Sequence, residues 1–232
     1  MAERSEMIFT PIRPGVLATE VSGQIRARIL DGSLEPGQAI KDSVLAEALG
    51  LSRSPVREAL RILEERGLVR KTPNRSYEVI SFSDADVEEL AMLRIAYESM
   101  AARWVIERGT PLGSLEALLD AMQPHDDSDE EKSRVLGADG EFHIAIIRLT
   151  GLPRLISSYA AIRDQLQLMI SSGFLGDRDL IRTQRDRHED LYRMLVAAQA
   201  SGDAAQVLAE LDFHIRGGMG LLTGDDLVRG VD

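Results

Sequence analysis

The order of apolar and polar positions divides the chain into two segments, which meet near residues 81–84. Before this point, short helical patterns are separated by Gly and Pro, and they end in a β-like stretch over residues 68–80 that Pro73 interrupts. After it, apolar residues recur with the 3.6-residue period of amphipathic helices, without a convincing strand. The pattern therefore predicts three helices and a hairpin, followed by a helical bundle.

Gly and Pro residues divide the second segment further, because they end or begin helices at defined positions. The resulting division predicts about six helices. They cover residues 84–108, 112–123, 131–150, 153–174, 178–201 and 203–221.

Within the first segment, helix, glycine turn and helix follow one another over residues 42–66. Asp42 is suited to cap the first helix, and Gly50 supplies the tight turn after it. The second helix begins at Ser52 or Ser54, which are also capping residues. This order is the outline of a helix-turn-helix.

The second helix of this motif has an apolar face and a basic face. Arg53, Arg57 and Arg61 recur every four residues on the basic face, and Ser52 and Ser54 lie at the helix N-terminus. Arginine side chains reach guanine edges or phosphates, and hydroxyls beside free backbone N–H groups donate to phosphates. The basic face is therefore suited to bind DNA.

The alternative is an ordinary surface helix whose arginines pair with Glu58, Glu64 and Glu65. For an isolated helix, this alternative is favoured. The hairpin that follows, with Asn74 and Arg75 at its tip, favours the DNA-binding interpretation instead.

Charge is distributed unevenly along the chain. A net charge of −11 argues against a nucleic-acid partner, whose phosphates attract basic surfaces. Residues 1–82, however, hold 12 Lys and Arg against 11 Asp and Glu, whereas residues 83–232 hold 15 against 27. The acidity belongs to the second segment, so the charge does not exclude DNA binding by the first.

The absence of cysteine excludes disulfides and thiolate metal sites, so any metal ligands must be His, Asp or Glu. The first 15 residues have no apolar run typical of a signal sequence, and the longest charge-free stretch, residues 165–176, is too short to span a bilayer. We therefore expect a cytoplasmic protein without a membrane partner.

Four potential metal ligands lie on inward faces of predicted helices. Asp139 and His143 are four residues apart, so they project from one face, while His188 and His214 lie on apolar faces of two later helices. One Asp and three His suit Zn²⁺, Ni²⁺ or Mn²⁺. The alternative for each histidine is a core residue bonded to backbone, and the spacing does not decide whether the helices converge.

Three stretches of the first segment resemble the winged helix of GntR-family regulators. This resemblance implies that Arg53 and Arg57 read bases and that Ser52 and Ser54 contact phosphates. It also implies that the hairpin tip at Asn74 and Arg75 enters the minor groove, although Asn74 replaces the usual Gly and Ser43 replaces a DNA-contacting Arg of some relatives. The matching stretches are ILDGSLEPG at 29–37, LAEALGLSRSPVREAL at 45–60 and ERGLV at 65–69.

The second segment is similar to the effector domain of the FadR-like subgroup, the FCD domain, and its six predicted helices suggest the VanR-like branch. The resemblance rests mainly on Asp139, His143, His188 and His214, together with the Leu93-Arg94 and Glu98 pattern. It implies that the four residues bind a divalent metal, Zn²⁺ before Ni²⁺ or Mn²⁺, with open positions for a carboxylate effector. Arg94 is the candidate second anchor for that carboxylate; its alternative role is an ion pair with Glu98.

These expectations define a mainly α protein. Residues 1–15 are predicted to be a flexible tail, residues 16–82 a winged helix-turn-helix domain, and residues 83–232 an all-α domain that binds the effector and dimerises. We expect a homodimeric repressor of double-stranded operator DNA, released by a small organic acid, and not an enzyme. Two functions remain as alternatives: a metal-dependent hydrolase, and a sensor of the metal ion itself.

Overall fold

The structure is a computed structural model that describes residues 16–73, 76–126, 128–172 and 178–222. The predicted tail over residues 1–15 and the predicted hairpin-tip residues Asn74 and Arg75 lie outside the described residues. Among the described helices, none is long and apolar enough to cross a membrane.

The first part of the chain folds into helices and a small sheet. Three strands, β1 (Ala39–Ile40), β2 (Val69–Lys71) and β3 (Tyr77–Val79), form an antiparallel sheet in the order β1-β3-β2, and Ile40 faces Tyr77. The sequence predicts only the β2–β3 hairpin, because the two residues of β1 are too few to show alternation. The elements are α1 (Val16–Leu30), β1 (Ala39–Ile40), α2 (Asp42–Leu49), α3 (Arg53–Glu65), β2 (Val69–Lys71) and β3 (Tyr77–Val79).

The turn between α2 and α3 follows the predicted pattern, with one correction. Gly50 adopts a φ of 64°, the left-handed conformation that glycine tolerates best. Ser52 is the N-cap residue of α3, but its side chain makes no capping hydrogen bond. The prediction that Asp42 caps α2 is wrong. The N-cap residue is Lys41, no side chain makes a capping bond there, and the Asp42 carboxylate bonds to Arg53 instead.

The rest of the described chain is helical, and the observed bounds lie within a few residues of those predicted. Ser83 caps the helix over Asp84–Arg108 with a capping box in which its hydroxyl accepts from the Asp86 N–H, and Ser128 caps the helix over Asp129–Leu149 by accepting from the Glu131 N–H. The helices are α4 (Asp84–Arg108), α5 (Gly113–Ala121), α6 (Asp129–Leu149), α7 (Pro153–Ser171), α8 (Arg178–Ser201) and α9 (Ala205–Gly218).

Two hydrophobic cores organise these elements. The larger core is formed by α4 to α9 around residues such as Ala101, Phe142 and Leu191, and the smaller by α1, α3 and the sheet around residues such as Ile29 and Leu60. Because α4 contacts α6, α7, α8 and α9, its inward side chains face several helices at once. This central position lets α4 support side chains from different parts of the bundle.

Helix α7 belongs to the larger core but also packs on the first part of the chain. Leu168 is 1% exposed and lies in the smaller core. Asp164, 3% exposed, accepts hydrogen bonds from Arg26 Nε at 2.8 Å and from Arg26 Nη2, and it lies 3.4 Å from Arg66 Nη1. One helix therefore joins the two cores, through contacts that sequence analysis did not predict.

Candidate metal centre and nucleic-acid interface

The four predicted metal ligands come together in the interior of the helical bundle. Asp139 and His143 extend from α6, His188 from α8 and His214 from α9, and all four are buried. Each offers a ligand atom, and these atoms all lie within 4.8 Å of one another. Folding therefore brings together residues that are separated by up to 75 positions in the sequence.

The donor atoms have the spacing of a coordination shell. His143 Nε2 lies 3.1 Å from His188 Nε2 and 3.3 Å from His214 Nε2, and His188 Nε2 lies 3.0 Å from Asp139 Oδ1. Bonds of about 2.0–2.1 Å to a tetrahedral zinc ion would place its ligand atoms about 3.3 Å apart. These three distances are close to this value, whereas His143 Nε2 lies 3.8 Å from Asp139 Oδ1.

The partners of the Nδ1 atoms fix how the histidine rings are oriented in the cluster. His188 Nδ1 lies 2.7 Å from the Gln184 carbonyl oxygen, which can only accept, so Nδ1 donates to it and Nε2 is the atom directed into the cluster. His143 Nδ1 lies 2.6 Å from Glu98 Oε2 and donates to that carboxylate in the same way. Partners of this kind orient metal-binding histidines and raise their basicity.

Electrostatics keep the buried groups in the forms that bind a cation. Burial disfavours the charged form of Glu98, but the facing ring of His143 and the guanidinium of Arg94 outweigh burial and lower the pKa of Glu98 to about 2. Burial, followed by the charge of Arg94, lowers the pKa of His143, and burial lowers the pKa of His214 well below its ordinary value. Glu98 is therefore a carboxylate, and His143 and His214 are neutral imidazoles, near neutral pH.

The positions of the donor atoms test whether a metal fits. The Nε2 atoms of His143 and His188 lie 3.1 Å apart, and Asp139 Oδ1 lies 3.0 Å from His188 Nε2, so two imidazole nitrogens and a carboxylate oxygen are directed at one point. A divalent cation between these donors would accept lone pairs from imidazole and carboxylate ligands, which suit it. The buried Asp and His residues therefore form a group that could bind a metal.

Arg94 lies beside this group and is buried on α4. Its Nε donates to Glu98 Oε1 at 2.8 Å, which is the i,i+4 ion pair considered as the alternative to effector binding. Its two Nη groups donate no hydrogen bond to the described residues. The ion pair thus leaves the Nη side of the guanidinium available, so pairing and effector binding are compatible.

The carboxylates near the cluster are already engaged. Glu98 accepts from Arg94 and His143 and also from the Tyr159 hydroxyl at 2.6 Å. Glu141, on the same helix as Asp139 and His143, is bonded to Arg148 and Arg163. Within the described residues, neither glutamate is placed to act as the general base that a hydrolase would need.

The second predicted site lies on α3, on the surface of the first part of the chain. Ser52, Arg53, Ser54 and Arg57 are all exposed, and they lie at the N-terminal end of this helix. The opposite face, which includes Val56, Leu60 and Leu63, is buried in the smaller core. The structure therefore separates the packing face of α3 from the face that carries the predicted DNA contacts.

The arginines on the exposed face have different partners. Arg61 lies 3.6 Å from Glu58 and 3.7 Å from Glu65, which matches the surface-pairing alternative for this residue alone. Arg53 Nη2 bonds instead to Asp42, a residue of α2 that sequence analysis did not connect with the basic face. Sequence signals could not identify this pair, because the two residues are 11 positions apart on different helices.

Comparison with protein families gives two matches, one for each part of the chain. Residues 17–79 match the model of bacterial regulatory proteins of the gntR family, and residues 89–216 match the FCD domain. The first match contains α3, and the second contains Asp139, His143, His188 and His214.

Individual proteins show the same similarity over most of the chain. The uncharacterized HTH-type transcriptional regulator YdhC of Bacillus subtilis (strain 168) is 27% identical over 156 residues, which cover 66% of this chain and 70% of that protein. The HTH-type transcriptional regulator McbR of Escherichia coli (strain K12) is 26% identical over 190 residues, 81% of this chain and 84% of its own length. A crystal structure of a putative GntR transcriptional regulator from Rhodococcus sp. RHA1 has the same fold, with a TM-score of 0.73 at 24% identity, covering 93% of this chain and 98% of the other.

Proposed function

The chain belongs to the gntR family of bacterial regulatory proteins that carry an FCD domain, and we propose that it is a metal-containing, effector-responsive transcriptional repressor. In this proposal, a homodimer binds double-stranded operator DNA through α3 of each subunit. A small organic acid then binds beside the metal and releases the operator.

One observation carries this proposal: an exposed basic helix and a buried four-donor cluster occur in the same chain. Ser52, Arg53, Ser54 and Arg57 are exposed on α3, whereas the donor cluster is enclosed by α6, α8 and α9. A site for DNA and a separate site for a small molecule are what a ligand-controlled regulator requires.

The donor cluster supports a role in binding a metal and an effector. Asp139, His143, His188 and His214 would hold the ion, for which we propose Zn²⁺ because three imidazoles and a carboxylate suit it. When bound, the ion would act as a Lewis acid that attracts the carboxylate of an effector. Arg94 would hold the same carboxylate through its Nη groups, while its bond to Glu98 keeps the side chain in place.

Contacts of α7 support a route from this site to the DNA-binding surface. Tyr159 of α7 donates to Glu98, which accepts from His143 of the donor cluster. Five residues further along α7, Asp164 binds Arg26 of α1. A shift of α7 on effector binding would therefore move the winged helix relative to the bundle.

Such a shift would matter because a dimer must present two recognition helices at a fixed distance. Half-sites one helical turn apart require a separation of about 34–36 Å between these helices. A tilt of one winged helix would place it out of register with the second major groove, which would weaken operator binding.

The experiment that tests DNA reading is the substitution Arg57→Ala. A DNA site is first selected from a random duplex library with the full chain, and the affinity of each variant for that site is then measured. We expect Arg57→Ala to lose about 1–3 kcal/mol of binding free energy, because it removes a base or phosphate contact from an exposed face without disturbing the core. Arg103→Ala, which removes an exposed arginine of α4, is the matched control and should bind like the wild type. Equal affinity of the Arg57 variant and the wild type at several salt concentrations would refute this assignment of α3.

A further inference from the structure

The Asp42 carboxylate lies beneath the arginines of α3 and binds one of them directly. Its Oδ1 and Oδ2 atoms lie 2.7 and 3.0 Å from Arg53 Nη2, and Oδ2 lies 3.9 Å from Arg57 Nε. The Asp42 side chain is 12% exposed, whereas those of Arg53 and Arg57 are 64% and 66% exposed. A nearly buried anion thus faces two exposed cations at the start of α3.

Burial makes Asp42 a fixed acceptor, in contrast to the acidic partners of Arg61. Glu58 and Glu65 have side chains that are 55% and 70% exposed, and they lie 3.6 and 3.7 Å from Arg61. Pairs of that kind impose little order on an arginine, because both side chains move freely in water. A carboxylate fixed by packing in α2 restricts the guanidinium it binds, which lowers the entropy lost when that guanidinium meets a base.

The bond leaves Arg53 able to read DNA. A guanidinium has five N–H donors, and Asp42 engages only Nη2 of Arg53. The remaining donors can still form a bidentate contact with guanine. At the same time the negative charge of Asp42 reduces the attraction of this surface for phosphates, which does not depend on sequence.

We propose that Asp42 is a specificity-determining positioning residue for the DNA-binding face of α3. It orients Arg53 toward base edges, and it lowers the affinity of the same face for DNA of any sequence. Both effects increase the ratio of specific to non-specific binding. This inference rests on the proposed DNA-binding function, and it adds a residue that makes no contact with DNA itself.

The test compares two duplexes of equal length and composition: the site selected by the wild-type chain, and a scrambled version of it. Asp42→Asn keeps the size of the side chain and removes its charge. We expect this variant to bind the scrambled duplex several-fold more tightly and the selected duplex no more tightly than the wild type. The ratio of the affinity for the selected duplex to that for the scrambled duplex should therefore fall about fivefold or more, because the variant lacks one charge that repels phosphates.

Glu58→Gln is the matched control, because it removes one negative charge beside the arginines of α3 without touching Arg53. We expect it to raise the affinity for both duplexes by the same factor and to leave their ratio unchanged. If the bond between Asp42 and Arg53 only holds α2 against α3, Asp42→Asn would lower the thermal stability without changing the ratio of the affinities for the two duplexes. If Asp42→Asn and Glu58→Gln give the same ratio, the proposal is wrong.

A second variant keeps the test valid if Asp42→Asn folds poorly. Asp42→Glu retains the charge and displaces the carboxylate by one methylene group, so scrambled DNA should bind as it does to the wild type while the ratio decreases. An unchanged ratio in both Asp42 variants overturns the inference and leaves the proposed function intact. If the wild-type chain selects no sequence at all, the proposed function and this inference are both refuted.

Discussion

Individual ring nitrogens decide the chemistry of the buried cluster. The Gln184 carbonyl and the Glu98 carboxylate accept from the Nδ1 atoms of His188 and His143, so the Nε2 atoms of both rings are the ones directed into the cluster. His214 contributes a third Nε2, and its Nδ1 atom is buried with no hydrogen-bond partner among the described residues. A cation at the centre of the cluster would be bound by the Nε2 atoms of the three rings.

Removal of one histidine from this cluster should strip the metal. We expect His188→Ala and His214→Ala to reduce the metal content of the purified protein to a small fraction of the wild-type value, because each leaves an incomplete shell. His125→Ala is the control, since this exposed histidine lies outside the cluster. Metal content is measured by elemental analysis after dialysis. Equal content in the wild type and both cluster variants would identify these histidines as ordinary core residues.

The sequence allowed part of this site to be predicted. Asp139 and His143 follow from their i,i+4 spacing, and the inward direction of His188 and His214 follows from the apolar residues that share their helix faces. The bond between Glu98 and His143 does not follow, because these residues lie on different helices 45 positions apart. Helical periodicity gives the direction of a side chain but not its partner on another helix.

At the scale of elements, the turn after α3 joins two parts of the molecule. Gly67 has a φ of 67°, and a Cβ atom added there would lie 2.7 Å from Gln165 Nε2 of α7. That amide donates to the Arg66 carbonyl at 3.3 Å. A side chain at position 67 would therefore strain the backbone and also displace Gln165 from its hydrogen bond.

These two costs can be separated with a pair of glycine substitutions. Gly32 has a φ of 78° with no atom within 4 Å of an added Cβ, so Gly32→Ala introduces only the backbone strain, about 1–2 kcal/mol. Gly67→Ala should lose about 1 kcal/mol more, because the bond from Gln165 is also broken. The free energy of unfolding is measured by chemical denaturation. An equal loss in the two variants would contradict the contact between α7 and this turn.

The elements were predicted more completely than their packing. Six helices after residue 83 follow from the 3.6-residue period and from the Gly and Pro residues between them. The helix predicted over residues 131–150 begins two residues earlier, at Asp129, where the Ser128 hydroxyl accepts from the Glu131 N–H. Helix α7, by contrast, contributes apolar residues to both cores. The buried position of Leu168 in the smaller core depends on tertiary contacts that periodicity does not encode.

At the scale of the whole molecule, Asp164 makes a charged contact between the bundle and the winged helix. It is nearly buried and accepts from both Nε and Nη2 of Arg26, with Arg66 close by. Removing one partner of such a pair leaves the other without compensation. The position of α1 against α7 should therefore depend on this carboxylate.

Hydrogen exchange tests that dependence. Asp164→Asn should increase the exchange rates of amides in α1, because Arg26 loses its charged acceptor and the helix opens locally more often. Asp31→Asn is the control: Asp31 forms an exposed pair with Arg28 at 3.7 Å, so its loss should change these rates little. Identical exchange in Asp164→Asn and the wild type would show that the ion pair does not hold α1 in place.

The central claim is that binding of a small organic acid in the helical bundle controls DNA binding by the winged helix. A thermal-shift screen of small organic acids against the zinc-loaded protein identifies the acid that stabilises it most. The decisive measurement is then the affinity of the full chain for its selected DNA site, with and without a saturating concentration of that acid. A coupling of about 1–3 kcal/mol predicts a 5- to 150-fold loss of DNA affinity, and the same factor should weaken acid binding when DNA is present. Equal DNA affinity with and without the bound acid would contradict the account.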